Sequence, residues 1–142
     1  MENIKKILVP LDGSQCAEEV LSTVEKTAKG LGASISLLRV AQAKASLITK
    51  PTDAELDVVR EAERYLYKLG DQLTSKGFKV ECQVRYGHDA EEILKQAAEK
   101  DIGLIAMASH GNGGVRRFLL GSVAEKIIHH SPKPVLLVRC RS

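Results

Sequence analysis

The chain has 142 residues, of which 44% are hydrophobic and only 4% aromatic, and its formal net charge is +3. This length suits one domain, since compact domains most often have roughly 100–150 residues. The basic excess is small and scattered along the sequence, which argues against a dedicated nucleic-acid-binding surface. We therefore expect a single domain over residues 1–142, with an aliphatic core and no nucleic-acid partner.

Membrane proteins and disulfide-rich secreted proteins are also excluded by the sequence pattern. No apolar stretch approaches the roughly 20 residues that a membrane-spanning helix needs, and no signal peptide is predicted. The three cysteines, Cys16, Cys82 and Cys140, are widely separated and form no C-x-x-C pair, so neither a disulfide framework nor a zinc site is predicted. We expect a cytoplasmic protein with reduced thiols, no membrane contact and no metal held by its own side chains.

The hydrophobic pattern alternates between strand and helix along the chain, with no repeat, linker or low-complexity segment. Short apolar runs predict five strands, at residues 4–9, 35–40, 78–85, 102–108 and 134–138. Apolar residues at helical spacing predict four helices between them, preceded or opened by Ser14, Asp53, Asp89 and Ser122. This alternation implies an open, mostly parallel five-stranded sheet with helices on both faces.

Local signals add detail to this scheme. The hydroxyl of Ser14 predicts an N-cap for the first helix. Asp89, followed three residues later by Glu92, predicts a capping box for a third helix that ends near Lys100. The fourth predicted strand is the most apolar and the third alternates in polarity, so we expect the fourth to be central and the third to be less deeply buried.

Open parallel sheets bind ligands beyond the carboxyl ends of their strands, where the strand order reverses. Asp12 follows the first predicted strand and lies at such an end. Its carboxylate is either a hydrogen-bond acceptor for a ligand hydroxyl or amino group, or a turn residue that bonds to its own backbone. This position alone does not separate the two interpretations.

The most informative segment covers residues 108–122. Three of the four residues from Gly111 to Gly114 are glycine, directly after the fourth predicted strand, and Gly121-Ser122 precedes the last helix. Glycine lets backbone N–H groups approach an anion, and a helix N-terminus adds further N–H donors. The segment therefore predicts a phosphate site rather than an ordinary flexible loop. Four side chains are further candidates for phosphate contacts: Ser14, His110, Arg116 and Arg117.

Three motifs match one known pattern. Nine residues separate Gly111 from Gly121-Ser122, as in the G-x2-G-x9-G-[ST] motif of a nucleotide-binding branch. Pro-x-Asp-Gly-Ser after the first strand and Gly-Ser-Val-Ala-Glu-Lys in the last helix belong to the same pattern. By these motifs the chain resembles the single-domain universal stress proteins of the UspA superfamily over essentially its whole length.

The resemblance implies a Rossmann-like fold, similar to the adenine nucleotide α-hydrolases, with strand order 3-2-1-4-5 and ATP lying across the ends of strands one, two and four. Mg²⁺ or Mn²⁺ would be bound through the phosphates. Asp12 and the backbone of Val40 would serve the adenosine, and Ala108 would lie beside the ribose. By position, the implied ATP-binding residues are Pro10, Asp12, Val40, Met107, Ala108, Gly111, Gly121, Ser122 and Val123.

One position departs from the family motif, whose first glycine is Ala108 here. A methyl group there crowds a ligand that touches the backbone, or is harmless if the residue has a negative φ. Since the expected contacts are to the main chain, we expect ATP binding to be weakened or preserved rather than abolished.

The resemblance implies a nucleotide-dependent sensor or regulator in a stress response. The alternative is an adaptor of the same superfamily that binds no nucleotide and acts through dimerisation and protein partners. No nucleophile, base and orienting residue can be assembled from the sequence, so no catalytic residue is assigned, and slow ATP hydrolysis or self-phosphorylation stays open. The apolar strand from Pro134 to Val138 is expected at a sheet edge and, as commonly in this family, to form a homodimer.

Overall fold

The structure, a computed structural model, describes residues 3–42, 53–110 and 120–140. In these ranges five strands alternate with four helices, which confirms the predicted order of elements. The strands are β1 (Lys6–Pro10), β2 (Ser34–Gln42), β3 (Val80–Gly87), β4 (Leu104–Ala108) and β5 (Val135–Val138). The helices are α1 (Gln15–Leu31), α2 (Asp53–Ser75), α3 (Asp89–Ala97) and α4 (Ser122–His130).

The five strands form one open parallel sheet in the order β3-β2-β1-β4-β5, which confirms the expected order. β1 lies in the middle, with β2 on one side and β4 on the other. The strand order therefore reverses around β1, and a crevice is expected at its carboxyl end. β5 lies at one edge of the sheet, as predicted.

Helices cover both faces of the sheet. On one face, α1 and α2 pack against a cluster that includes Val9 and Leu37. On the other face, α3 and α4 pack against Leu8 and Ile105. All residues of β4 are buried, whereas β3 alternates between half-buried and exposed residues, as expected from the sequence, although the middle strand is β1 rather than β4. Within the described ranges, no helix combines the length and the apolar composition that crossing a lipid bilayer requires.

The predicted N-cap of α1 is confirmed, and a glycine ends the helix. The Ser14 hydroxyl accepts a hydrogen bond from the backbone N–H of Ala17 at 3.0 Å, which satisfies one of the donors that a helix leaves unpaired at its N-terminus. At the other end, Gly32 adopts a left-handed conformation with φ of 65°, and its N–H bonds to the carbonyl of Ala28. Glycine is favoured there because it has no Cβ.

The capping box predicted for α3 is wrong. Asp89 is the first residue of the helix, and the N-cap is His88, whose side chain makes no capping hydrogen bond. The carboxylate of Asp89 instead accepts a hydrogen bond from the side-chain amide of Gln42 at the end of β2. Glu92 forms an ion pair with Arg85 on β3 at 3.5 Å. The helix also ends at Ala97 rather than near residue 100. Contacts with neighbouring strands therefore replace the local cap.

Both β2 and β3 continue past their predicted ends, because they pair with each other there. β2 and β3 pair in register as far as Gln42 and Gly87, past the apolar residues that suggested earlier ends. β1 includes Pro10, which has no N–H to donate. The hydrogen bond to β2 at this point comes from the N–H of Leu11, which donates to the carbonyl of Leu38 at 2.8 Å, so the proline is tolerated.

The cysteine prediction is wrong for one pair. A disulfide joins Cys16, at the start of α1, to Cys140, two residues after β5, and their Cα atoms lie 5.4 Å apart. The two residues are 124 positions apart in sequence, so no spacing rule could have paired them. They meet because the sheet order places the end of β5 beside α1. Cys82 is a free thiol.

Candidate functional site

A cavity of about 830 Å³ opens across the carboxyl ends of β1, β2 and β4, where the strand order reverses. Known ligand pockets occupy roughly 300–1,000 Å³, so this one accommodates a small organic ligand. Its walls come from the strand ends, the turn after β1 and the starts of α2, α3 and α4. The predicted ATP-binding residues that line the cavity are Pro10, Asp12, Val40, Met107, Ala108, Gly121, Ser122 and Val123.

Two regions of the cavity differ in construction. We call the first the strand end, formed by Asp12, Arg39 and Val40. We call the second the helix end, formed by His110 and the residues Gly121, Ser122 and Val123 around the start of α4.

At the strand end, Asp12 combines both roles considered from the sequence. Its Oδ1 accepts a hydrogen bond from the backbone N–H of Ser14 at 2.9 Å, which makes it a turn residue. Asp12 also lines the cavity. The turn therefore fixes the position of Asp12 at the cavity wall, and the two interpretations are compatible.

Ser14 has a structural role that its sequence position also predicted. Its hydroxyl caps α1 by accepting from Ala17, and Ser14 is not among the residues that line the cavity. A contact between Ser14 and a phosphate stays a prediction, without support from the cavity lining.

The main-chain N–H and C=O groups of Val40 point toward the side of β2 on which β1 ends. In a parallel strand, the N–H and C=O groups of successive residues point alternately to the two neighbouring strands. The carbonyl of Leu38 points to β1, where it accepts from Leu11, so the main-chain groups of Val40 point the same way. β1 ends at Pro10, which pairs with Leu38, and the chain then turns into α1. Val40 thus presents a donor and an acceptor on the cavity side of β2.

Ala108, which stands where the family motif has glycine, has a backbone conformation that any residue can adopt. No described residue other than glycine has a positive φ, so Ala108 adopts a conformation open to any amino acid. Its side chain is 7% exposed and belongs to the core cluster on the α1–α2 face. Met107 precedes it on β4 and is also buried. A glycine is therefore not required here for the main chain to reach the cavity.

Ser109 and His110 link the end of β4 to the helix end. The Ser109 hydroxyl lies 2.9 Å from Nδ1 of His110, and both residues are buried and line the cavity. The carbonyl of Ser109 accepts a hydrogen bond from the N–H of Gly121 at 2.8 Å, which ties the start of α4 to β4. The sequence singled out His110, and Ser109 next to it lies within the same predicted phosphate segment, residues 108–122.

The start of α4 faces the cavity. Gly121 is the N-cap, and Ser122 and Val123 are the first two residues of the helix. Backbone N–H groups in the first turn of a helix have no partner within the helix, and the helix dipole places partial positive charge there. Both residues line the cavity, so the helix end is suited to an anion.

Three residues of the predicted phosphate site lie outside the described residues. They are Gly111, Arg116 and Arg117, which fall in residues 111–119.

Arg39 was missed by sequence reasoning. It lines the cavity, and its guanidinium lies over the ring of Tyr65, 4.8 Å from the ring centroid. It also packs against Gly13, where a Cβ atom would lie 2.5 Å from Nη1 of Arg39. A charged residue between the apolar residues of the second predicted strand was the signal that could have identified it.

A second carboxylate lines the cavity close to the strand end. Burial and the negative charge of Asp12 raise the pKa of Asp89, while the hydrogen bond from Gln42 and the charge of Arg39 act in the opposite direction. Burial also raises the pKa of the Tyr65 hydroxyl. The strand end and its surroundings are thus partly desolvated and contain the carboxylates of Asp12 and Asp89 and the guanidinium of Arg39.

Helix α2 supplies a wall that the sequence did not predict. Ala54, Glu55, Val58 and Ala62 line the cavity from the first half of this helix. Among the described residues, no cluster of three or more histidine, cysteine or acidic side chains is arranged to hold a metal ion.

The comparisons with known proteins agree with this fold. The universal stress protein family model matches residues 3–139. The chain is 30% identical to universal stress protein YxiE of Bacillus subtilis, over 94% of this chain and 98% of that protein. It is 32% identical to universal stress protein MJ0577 of Methanocaldococcus jannaschii, over 95% and 94% of the two chains.

Solved structures show the same fold. The structure of MJ0577 matches with a TM-score of 0.81 at 31% identity and covers 99% of both chains. UspA from Lactobacillus plantarum matches with a TM-score of 0.83 at 20% identity, over 98% of this chain and all of that one. The chain therefore belongs to the universal stress protein family.

Proposed function

We propose that this universal stress protein binds an adenine nucleotide, ATP above all, in the cavity at the carboxyl ends of β1, β2 and β4, and acts as a nucleotide-dependent sensor or regulator in a stress response. The observation that carries the proposal is one cavity lined by Asp12, Arg39 and Val40 at its strand end and by the first residues of α4 at its helix end. A nucleotide is a ligand whose two ends differ in the same way.

The strand end supports adenosine recognition. The main chain of Val40 offers a donor and an acceptor side by side, and adenine carries an acceptor ring nitrogen beside its donor amino group. The carboxylate of Asp12 accepts from a ribose hydroxyl or an amino group. Pro10, Met107 and Ala108 supply the apolar surface that a base or sugar needs on leaving water.

The helix end supports binding of the phosphates. The backbone N–H groups of Ser122 and Val123 and the hydroxyl of Ser122 donate to phosphate oxygens. His110 lines the same region. Gly111 and the guanidinium groups of Arg116 and Arg117 complete the phosphate site in this proposal. Mg²⁺ or Mn²⁺ is bound through the phosphate oxygens, where it neutralises part of their charge.

Two solved structures of universal stress proteins contain related ligands. One was solved in complex with cAMP, and one from Archaeoglobus fulgidus was solved in complex with dAMP. Their identities to this chain are 18% and 24%, so the likeness concerns the fold alone. The proposal for this chain rests on its own cavity residues, and the preference for a triphosphate rests on the helix end.

A thermal-shift titration with ATP and Mg²⁺ tests the proposal. A ligand at about 100 times its Kd stabilises the folded state by about 2.7 kcal/mol. Each kcal/mol moves the unfolding midpoint by roughly 2–8 °C in domains of this size range. We expect a clear shift with ATP and a smaller one with AMP. The absence of any shift at millimolar ATP would support the alternative, an adaptor that acts through protein partners.

The proposal includes a cytoplasmic homodimer formed through β5. This strand lies at the edge of the sheet, and its four residues are half-buried. The main-chain groups of an edge strand that point away from the sheet can pair with the same strand of a second copy. Sedimentation at micromolar concentration tests this part, and a monomer would contradict it.

A further inference from the structure

The disulfide between Cys16 and Cys140 lies beside the cavity. Cys16 is the second residue of α1 and is 6% exposed, and its neighbour Ala17 lines the cavity. Cys140 is half-buried, and its backbone N–H donates to the hydroxyl of Ser109 at 3.3 Å. Ser109 also lines the cavity. Each sulfur is therefore attached to a residue that contacts, or adjoins, a cavity wall.

The two halves of the disulfide adjoin two different parts of the cavity wall. On one side, the first turn of α1 is fixed to the strand end, because Ser14 bonds to both Asp12 and Ala17. On the other side, Ser109 accepts from the N–H of Gly121 through its carbonyl, which fixes the helix end. The covalent bond thus connects the first turn of α1, which follows the turn that holds Asp12, with Cys140, whose N–H bonds to Ser109.

We propose that Cys16 and Cys140 form a reversible redox site whose disulfide holds the strand end and the helix end of the cavity together and so increases its affinity for nucleotide. The affinity part rests on the function proposed above. A tether that fixes two walls in their bound arrangement reduces the ordering that a ligand has to impose, and so favours binding.

The chemistry is a two-electron thiol–disulfide exchange. On oxidation, the thiolate of Cys140 attacks glutathione disulfide to give a mixed disulfide and one glutathione thiolate. The thiolate of Cys16 then attacks Sγ of Cys140 and releases the second glutathione. The protein thiols lose two electrons and two protons in total, and glutathione disulfide is reduced to two glutathione thiols.

Reduction follows the same path in reverse. An external thiolate reaches Sγ of Cys140, because Cys140 is more exposed than the buried Cys16. The sulfur of Cys16 leaves as a thiolate within the first turn of α1, where the helix dipole favours negative charge. In the cytoplasm, where glutathione and thioredoxin keep most thiols reduced, disulfides are usually transient or redox-sensing. Such a bond acts there as a switch rather than as a permanent link.

The first measurement establishes the redox site itself. The full chain is equilibrated in glutathione buffers of increasing oxidation, alkylated and analysed by mass spectrometry of its peptides. We expect a reversible transition in which Cys16 and Cys140 become linked while Cys82 remains alkylated. The thiol of Cys82 is a matched internal control, since it bonds to the carbonyl of Leu66 and burial raises its pKa. Failure of the pair to form under oxidising buffer overturns the proposal.

The second measurement tests the coupling to the cavity. Calorimetric titration with ATP and Mg²⁺ is expected to give a Kd roughly fivefold or more higher for the reduced chain than for the oxidised chain. By linkage, ATP should shift the glutathione midpoint toward the disulfide by the same factor. Cys16→Ser and Cys140→Ser should bind like the reduced chain in either buffer, whereas Cys82→Ser should keep the full redox dependence.

Hydrogen exchange of the ligand-free protein separates this proposal from the proposed function. Amides of residues 11–18 and 108–110 are expected to exchange more slowly in the oxidised chain, because both walls are tethered. If nucleotide binds to neither form, the proposed function fails while slower exchange still supports the redox site as a tether of the two walls. Equal exchange in both forms, or equal ATP affinity where ATP binds, overturns the coupling.

Discussion

The two ends of the cavity offer a ligand different kinds of groups. The strand end places two charged side chains, Asp12 and Arg39, near the part of β2 that continues beyond the end of β1. The helix end relies on the backbone N–H groups of Ser122 and Val123 in the first turn of α4. A side chain can be replaced without moving the chain, but main-chain donors can only be blocked or displaced. The two ends therefore require different substitutions, and those substitutions should affect different parts of a nucleotide.

The largest effect is expected from blocking the helix end. Gly121→Val would place a branched side chain at the proposed phosphate site, so the ATP-induced stabilisation of about 2.7 kcal/mol expected at about 100 times the Kd should disappear. Gly121 has φ of −61° and ψ of 153°, values that valine also adopts, so the unliganded protein should keep its fold. Thermal shift with ATP and Mg²⁺ and circular dichroism measure the two quantities. An undiminished ATP shift would place the ligand elsewhere.

The next largest effect is expected at the turn of the strand end. Gly13 has φ of +85°, and a Cβ added there would lie 2.5 Å from Nη1 of Arg39. Gly13→Ala should therefore lower the free energy of unfolding by roughly 1–2 kcal/mol, as measured by urea denaturation.

Gly30→Ala is the matched control for this turn. Gly30 lies within α1, and a Cβ atom added there would meet no other part of the protein within 4 Å, so alanine should stabilise the protein by about 0.5–1 kcal/mol. Equal effects of the two substitutions would contradict the special role of the turn.

A third prediction distinguishes the two ends by ligand. Asp12→Asn keeps a side-chain oxygen for the Ser14 N–H but removes the charge, so the turn should persist. Loss of one charged hydrogen bond should weaken the binding of ATP and of AMP by a similar factor of about tenfold or more. Ser122→Ala should instead weaken the binding of ATP more than the binding of AMP. Calorimetry with both nucleotides tests this, and identical ratios for the two variants would remove the distinction between the ends.

The smallest effect concerns the pH dependence at the strand end. Burial and the charge of Asp12 raise the pKa of Asp89, so the folded state favours the protonated form. This contribution to stability is fully present below the unfolded pKa of 3.8 and is lost as the pH rises through the folded value. Asp89→Asn should therefore be slightly more stable than the original chain at neutral pH. The advantage should vanish below pH 3.8, and its persistence in acid would exclude this explanation.

Local sequence was sufficient where a structural feature depends on near neighbours. The cap of α1 at Ser14 was predictable, since it depends on a hydrogen bond within one turn. The apolar run of β4 likewise predicted a buried strand. The same reasoning was wrong for Asp89, because the carboxylate bonds to Gln42 rather than to its own helix. A local motif loses its predictive value when a distant residue competes for the same atom.

The order of elements, the parallel character of the sheet and the strand ends at which a ligand is expected were determined by the hydrophobic pattern and the glycine-rich motif, because each is a periodic or local property of the chain. Tertiary structure alone decided that Arg39 and α2 line the cavity and that Cys16 and Cys140 form a disulfide. These features depend on which segments the strand order β3-β2-β1-β4-β5 places side by side. Residues brought together in that way have no common spacing along the chain, and only packing reveals them.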